Sequence, residues 1–422
     1  MIRYLASLWM IVARSLRRHL LSTTITVLST AMATGLVMAV FAVSLQSRLA
    51  FAGGPLGFDA VLGARGSQLQ LVLNTVFHLE TSPGNIPWRL YEEVRRDPRV
   101  ALAIPYALGD NYEGYRIVGT SAELFTDFEY EVGRKFELGG GRFFDERRRE
   151  AVLGARVARE TGLTVGSHLH PSHGVERNTL EDAAHEEEYV VCGVLADTHS
   201  PNDRVIWIPV EGVFRMSGHR LRGSGEEYVP TDGQAIEEEH KELSAVMLKL
   251  KGRQSGFQLS VQYNRMGKEA TLAWPIGAAM AQLFDKLGWM ARILELVAYL
   301  VMIVAAGSIL ASLYNTMNER RREFAILRSL GARRRTVFAV ILLEAEAIAL
   351  LGSLVGFGVY TGILVGAGRV VTRETGVVLE LWVWHDAFVW TPVGMLLVGA
   401  IAGILPAWKA YSTDVAQTLS RS

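Results

Sequence analysis

Four stretches of this 422-residue chain, 20–46, 296–318, 347–368 and 387–408, run almost free of charge for about the 20 residues that a bilayer-crossing helix needs. A backbone in hydrocarbon must satisfy its own hydrogen bonds, so each stretch is expected to be helical. The third is expected to begin earlier, over 336–368. Everything else the chain folds into must be compatible with these four spans.

Their orientation follows from where Arg and Lys fall near the ends. Arg3, Arg14, Arg17 and Arg18 precede the first span with no acid among them, which places the segment 1–19 in the cytoplasm. The loop 319–335 carries Arg320, Arg321, Arg322, Arg328, Arg333, Arg334 and Arg335 against Glu319 and Glu323, and returns to the same side. The tail 409–422 opens on Lys409 and joins them, leaving 48–295 and the short loop 369–386 outside. Of 43 acids and 43 bases, 34 and 27 lie between Arg48 and Met290, so a neutral total hides a basic inside and a mildly acidic outside. That distribution gives nucleic acid no basic face to bind. The first apolar stretch is about twice as long as a signal-peptide core of roughly 7–15 residues, which favours a retained anchor. Before it, Leu5, Leu8, Trp9, Val12 and Leu16 recur at helical spacing with Arg3, Arg14 and Arg17 elsewhere on the wheel. This pattern suits a helix on the inner leaflet or an ordinary helix start.

The outer region 48–274 alternates β-rich runs (YRIVGT, EAVLG, YVVCGVL, RVIWIPV, AVMLKL) with helical segments such as PWRLYEEVRR and EGVFRMSG. The expected fold class is a membrane protein of four transmembrane α-helices with a large mixed α/β extracytoplasmic domain inserted between helices 1 and 2. An acidic insert from Gly225 reads as a loop. From about Pro275 helical spacing continues unbroken into the second span, predicting a stalk helix over 275–295.

The basic loop NERRREFAILRSLGARRRTV also has an apolar face. On a helix Ile326, Leu327 and Leu330 fall within about 100° of one another with Phe324 at the edge, and Gly331 is placed to cap the end. Arginines alone would fix topology or bind anionic lipid. The apolar face additionally needs a membrane surface or a protein groove.

The string NERRREFAILRSLGARRRTVFAVILLEAEAIALLGSLVGFGVY resembles the signature of the FtsX-like or MacB-type permease family of ABC transporters. Glu319, Arg320, Arg321, Glu323, Leu327, Arg328, Leu330, Gly331, Ala332, Leu343, Glu344 and Ala345 occupy its pattern. ARSLRRHLLSTTITVLSTAMATGLV is similar to the family's first helix. EAVLGARVARETGLTVGSHL followed by YVVCGVLADTHSPNDRVIWIPV is similar to its extracytoplasmic core. GILPAWKAYSTDVAQTLS resembles its C-terminus, with Val415 where Pro is usual. The resemblance implies a coupling helix at Glu319, Arg320, Arg321, Glu323, Ile326, Leu327, Arg328, Leu330, Gly331 and Ala332 that docks on a cytoplasmic ABC ATPase subunit. It further implies a second permease subunit, identical or related, and a bacterial inner (plasma) membrane with both termini cytoplasmic. ATP hydrolysis would be relayed by mechanotransmission to export or extract a substrate, a class of work that includes efflux and lipoprotein release. The sequence has no G-x-x-x-x-G-K-[ST] loop, so ATP is expected to be bound by the partner subunit and no cofactor by this chain. The expectation is a non-enzyme.

Other residues invite separate readings. Glu344 and Glu346 interrupt the third span and are expected at the interface beside Arg333 to Arg335 rather than in a pathway. Gly352 with Gly356, and Gly399 with Gly403, have the spacing of close helix approach, within the subunit or at a dimer seam. His168, His170 and His173, with His185 and His199, are zinc-ligand types without diagnostic spacing, and read as ordinary surface histidines with no metal. Cys192 lies in an apolar strand pattern and reads as core. Gly63 and Gly66, and the glycines of RKFELGGGRFFDERRRE, read as turns. Two other functions fit the same chain: a transmembrane signalling module that activates an extracytoplasmic enzyme or sensor, such as a hydrolase or histidine kinase, and a membrane-anchored metal-dependent enzyme built on the histidines.

Overall fold

The computed structural model describes residues 2–49, 57–131, 133–174, 185–216, 236–329, 331–375 and 380–412. The chain divides into two compact units, one of residues 1–47, 287–370 and 379–422, the other of 48–286 with 371–378. Helices α1 (Ile2–Arg18) and α2 (Leu20–Arg48) lead into a region with short helices α3 (Gln68–Thr75), α4 (Trp88–Arg95), α5 (Glu123–Thr126), α6 (Ala155–Thr161), α7 (Val210–Phe214) and α8 (Arg253–Ser260). After it come α9 (Ile276–Glu319), α10 (Arg321–Ser329), α11 (Arg334–Thr375) and α12 (Ala387–Ser412). Among the described residues, four helices are long and apolar enough to cross a membrane: α2, α9 from Gly288, α11 and α12.

The surfaces of these helices carry large apolar side chains: Ile303, Val304, Ile401 and Leu405 are each at least 66% exposed. Such a surface is costly in water and costs nothing in hydrocarbon. Exposed Trp289, Trp382, Trp384 and Trp390 lie near one end of the spans by sequence, and Trp9 and Trp408 near the other, as interfacial aromatics do. The helix expected to end at 368 continues to Thr375.

The first apolar stripe meets protein. The i→i−4 ladder passes through His19 (His19 N–H to Ser15 C=O, 3.1 Å; Thr23 N–H to His19 C=O, 2.9 Å), so α1 runs into α2 without a loop. Leu8 and Val12 are buried against Val340 and Ala347 of α11, while Trp9 and Met10 remain exposed.

In the other unit the strands are β1 (Ala60–Ala64), β2 (Ile86–Pro87), β3 (Val100–Tyr112), β4 (Tyr115–Thr120), β5 (Leu138–Gly141), β6 (Glu150–Leu153), β7 (His168–Leu169), β8 (Ser172–His173), β9 (Tyr189–Leu195), β10 (Val205–Pro209), β11 (Glu242–Leu243), β12 (Ala245–Leu250) and β13 (Ala270–Ala273). The main sheet has the order β13-β1-β12-β3-β4-β10-β6-β9-β5, with β7 on β9 and β8 on β3. It is mixed: β10 pairs with β4 and β6 with β9 in parallel, and the other pairs are antiparallel. Side chains alternate between two cores, as a period of two requires. Ile206, Ile208, Val246 and Leu248 join α4, α7 and α8 on one face; Val205, Trp207, Ala245 and Met247 join α3 and α5 on the other. Both faces are covered, which is why these strands read as continuous apolar runs. The second core also takes in Ile276, Ala279 and Met280, the first turns of α9.

Two sequence expectations are corrected here. Gly63 lies inside β1 rather than in a turn, where a Cβ would meet Leu71 Cδ1 at 2.3 Å. The run at 138–141 is the edge strand β5 rather than a flexible turn, and a Cβ on Gly141 would come within 2.3 Å of the Cys192 carbonyl. Small residues are needed there for close strand approach.

Candidate functional site

The basic loop folds as α10, flanked by the end of α9 and the start of α11. Its N-terminal side is tied down by charge. Arg320, 8% exposed, donates from Nη1 to Ser15 Oγ of α1 (2.6 Å) and from Nε to Glu323 (3.2 Å), and its Nη1 lies 3.6 Å from Glu344 Oε2 of α11. Ser15 Oγ in turn donates to Glu344 Oε1 (2.7 Å). Arg18 donates to Glu323 Oε1 (2.5 Å), and His19 Nδ1 lies 3.2 Å from Glu319. The Arg18 pair is solvent-exposed and contributes little; the Arg320 pair is buried, so its geometry matters more. The Arg320 guanidinium also lies over the Phe324 ring, 4.9 Å from its centroid.

The apolar face divides. Phe324 and Ala325 are buried, Phe324 in a cluster with Met317, Val337, Ile341 and Ala407. Ile326 and Leu327 stay 44% and 37% exposed with half-buried Arg328 beside them. The helix ends on Gly331, φ +99°, with Gly331 N–H bonded to Arg328 C=O (3.1 Å) and Ala332 N–H to Leu327 C=O (3.0 Å). This is the paired ending that a left-handed residue produces. Leu330 and the side chains of Arg321 and Arg322 lie outside the described residues. Arrangement and exposure together make a short helix held rigidly on one side and offering two aliphatic side chains on the other.

Glu344 is not beside Arg333 to Arg335, as the sequence suggested. It is 5% exposed and faces Arg320 and Ser15, because one buried carboxylate needs a buried cation and donor. Glu346, two residues on and so about 200° round the helix, is half-buried. Ser15 escaped sequence reading, although a signal was present: it lies three residues after Val12, on the stripe that buries Leu8 and Val12.

The glycine pairs lie at helix contacts within one unit. A Cβ on Gly352 would come within 2.5 Å of Thr30 Cβ, and one on Gly356 within 2.9 Å of Thr34 Cβ. Thr30 and Thr34 return their hydroxyls to the carbonyls of Thr26 and Thr30 (2.8 and 2.9 Å), leaving methyl groups to pack on α11. Gly399 and Gly403 of α12 similarly face Ala349 and Ala345, each 2.9 Å from an added Cβ.

In the sheet unit, burial pushes the Cys192 thiol up to about 11, and its Sγ donates to Ala151 C=O (3.4 Å). A thiol so shifted is a core group, not a nucleophile. The histidines separate. His168 and His170 are exposed and share Glu188 (2.9 and 3.8 Å). His199 lies in a turn closed by Asp203, which accepts from the Thr198 and His199 N–H groups (2.9 and 2.8 Å). His173 joins His185 around Asp110, and His185 is buried at 5% exposure, contrary to the surface setting expected of it.

Comparison with known proteins agrees with both halves of the chain. Residues 295–415 match the FtsX-like permease C-terminal model, and residues 23–256, more than half of the chain, match the MacB-like periplasmic core domain. Among curated relatives, the pyoverdine export ATP-binding/permease protein PvdT of Pseudomonas fluorescens is 26% identical over 270 residues, covering 59% of this chain and 37% of that protein. The macrolide export ATP-binding/permease protein MacB of Nitrosomonas europaea is 25% identical over 378 residues, covering 85% and 52%. This chain therefore spans between about a third and a half of these two relatives. The crystal structure of the periplasmic region of MacB from Actinobacillus actinomycetemcomitans superposes with a TM-score of 0.30 at 11% identity, over 55% of this chain and 94% of that one. The chain belongs to the MacB/FtsX-type family of ABC transporter permeases.

Proposed function

We propose that α10 is the coupling helix through which an ABC ATPase drives this permease. The observation that carries the reading is the exposed Ile326–Leu327 pair on a helix whose other side is fixed by buried Arg320, Phe324 and Ala325. A docking element must present apolar anchors without yielding when pushed, and the flanking Arg328 supplies charge for orientation. The helix α9, continuous over 44 residues, supports a relay: at about 1.5 Å per residue it is roughly 66 Å long. Its first turns are built into a β-sheet core, and Ile309 and Leu313 pack against Ala345, Ile348 and Ala402.

In this account ATP-driven closure of two nucleotide-binding subunits displaces α10, and α9 transmits the movement as mechanotransmission. The work done outside is export or extraction of a substrate. The relatives named for pyoverdine and macrolide export support transport of this kind. A pair of permease subunits in a bacterial inner membrane, with both termini cytoplasmic, completes the proposal. The test is retention of a nucleotide-binding ATPase on detergent-solubilised chain, comparing wild type with Leu327→Asp and Arg328→Glu. Retention by wild type alone is expected; equal retention by all three, or by none, overturns the assignment.

A further inference from the structure

We propose that Asp110, His173 and His185 form a zinc-class metal site in the sheet unit. The three come from separate parts of the chain. Asp110 lies in β3, directly opposite His173 of β8 in the antiparallel register, and His185 is twelve residues further on. Asp110 Oδ1 is 3.4 Å from His173 Nδ1 and 3.2 Å from His185 Nε2, and the three ligand atoms lie within 4.8 Å of one another.

Those separations have a metal-centred meaning. Ligands at about 2.0–2.1 Å from a tetrahedral zinc ion are roughly 3.3 Å apart along each edge. Two of the three edges already have that length, and a small rotation of the imidazoles, whose centroids are 4.1 Å apart, would close the third. The donor set of two imidazoles and one carboxylate is one that zinc takes, with a fourth position left for water or another ligand. Asp110 and His185 are buried, whereas the His173 side chain is 43% exposed, which leaves an entry path.

The supporting contacts hold the ligands from behind. Asn111 donates from Nδ2 to the carbonyls of Ser172, His173 and Gly174 (3.4, 3.4 and 3.2 Å), fixing the strand that carries His173. The His185 backbone N–H bonds to Pro171 C=O (2.8 Å). An ion here would tie His173 and His185 to β3. Partners of this kind typically change metal affinity by about 10–100-fold, so loss of a ligand should cost at least that.

Zinc binding to the full-length detergent-solubilised chain, stripped with chelator and titrated with zinc alone, tests the site. Wild type and the double variant His168→Gln/His170→Gln should each bind one zinc ion per chain. His173→Gln and Asp110→Asn should weaken binding by roughly 100-fold or more. His173 is half-exposed, so its variant should keep the zinc-free unfolding midpoint while losing the rise that zinc gives wild type. Absence of stoichiometric zinc from wild type means that Asp110 is held by hydrogen bonds and not by a metal ion, and overturns the proposal. Retention of zinc by either single variant, or its loss from the His168/His170 variant, overturns it equally.

Discussion

Replacing Glu344 by Gln should destabilise the helical unit through Arg320. The two charges lie 3.6 Å apart, with Arg320 8% and Glu344 5% exposed. At an effective dielectric of about 20 their attraction is roughly 4–5 kcal/mol, much of it offset by desolvation. The larger effect is the stranded partner: removing one member of a buried pair typically costs about 3–5 kcal/mol. Arg320 would keep Ser15 and Glu323, which places Glu344→Gln near the lower end, about 3 kcal/mol. At about 2–4 °C per kcal/mol the unfolding midpoint in detergent should fall by roughly 6–12 °C. Arg320→Met should fall by a similar amount, because it strands Glu344. The double variant should lose much less than the sum, since neither charge remains to be stranded. Strict additivity, or a shift within 1 °C for both single variants, would show that the ion pair does not hold α10 to α11 and would refute the reasoning.

Four further outcomes follow from individual residues. Gly331→Ala places a Cβ at φ +99°, costs about 1–2 kcal/mol and should weaken ATPase retention about 5–30-fold, with Gly331→Asn milder; equal effects of the two would remove the backbone explanation. Gly352→Ala, aimed at Thr30 Cβ, should cost about 1–3 kcal/mol in thermal unfolding, whereas Gly362→Ala, with no neighbour within 4 Å, should be nearly neutral. Neither ring nitrogen of His78 has a hydrogen-bond partner among the described residues, and burial, with Arg116 and Arg204 adding to it, lowers its pKa from 6.5 to about 3. The unfolded chain therefore binds the extra proton, so stability present above pH 6.5 is lost as pH falls toward 3; His78→Phe should flatten that loss in midpoints measured between pH 7 and 4. Cys192, with its thiol pushed up to about 11, should resist alkylation at pH 8 until the chain is denatured, and rapid native labelling would contradict its core placement.

The elements that sequence made legible are those governed by local periodicity. Uncharged stretches mark α2, α9, α11 and α12, and the runs YVVCGVL and AVMLKL coincide with β9 and β12. Gly331 could be read because a helix ending needs a residue tolerant of positive φ, and that need is local. What stayed hidden depends on pairing across distance. Arg320 meets Ser15 across 305 positions, so neither the buried network nor the role of Glu344 in it leaves a spacing signal. The parallel partnership of β10 with β4 and the placement of Asp110 opposite His173 depend on sheet register in the same way. The apolar pattern of α10 was visible, but which of its residues face inward was not. Phe324 turns into the cluster of Met317, Val337, Ile341 and Ala407, and this leaves Ile326 and Leu327 outward.

The central claim is that this outward pair contacts an ABC ATPase. A photoactivatable cross-linker on Leu327→Cys, in intact membranes and with Cys192 buried and protonated, interrogates that contact directly. The account predicts a single major adduct containing a nucleotide-binding ABC ATPase, absent when the label is moved to Leu354→Cys on the exposed surface of α11. Adducts with lipid alone, or the same ATPase adduct from both positions, would contradict it.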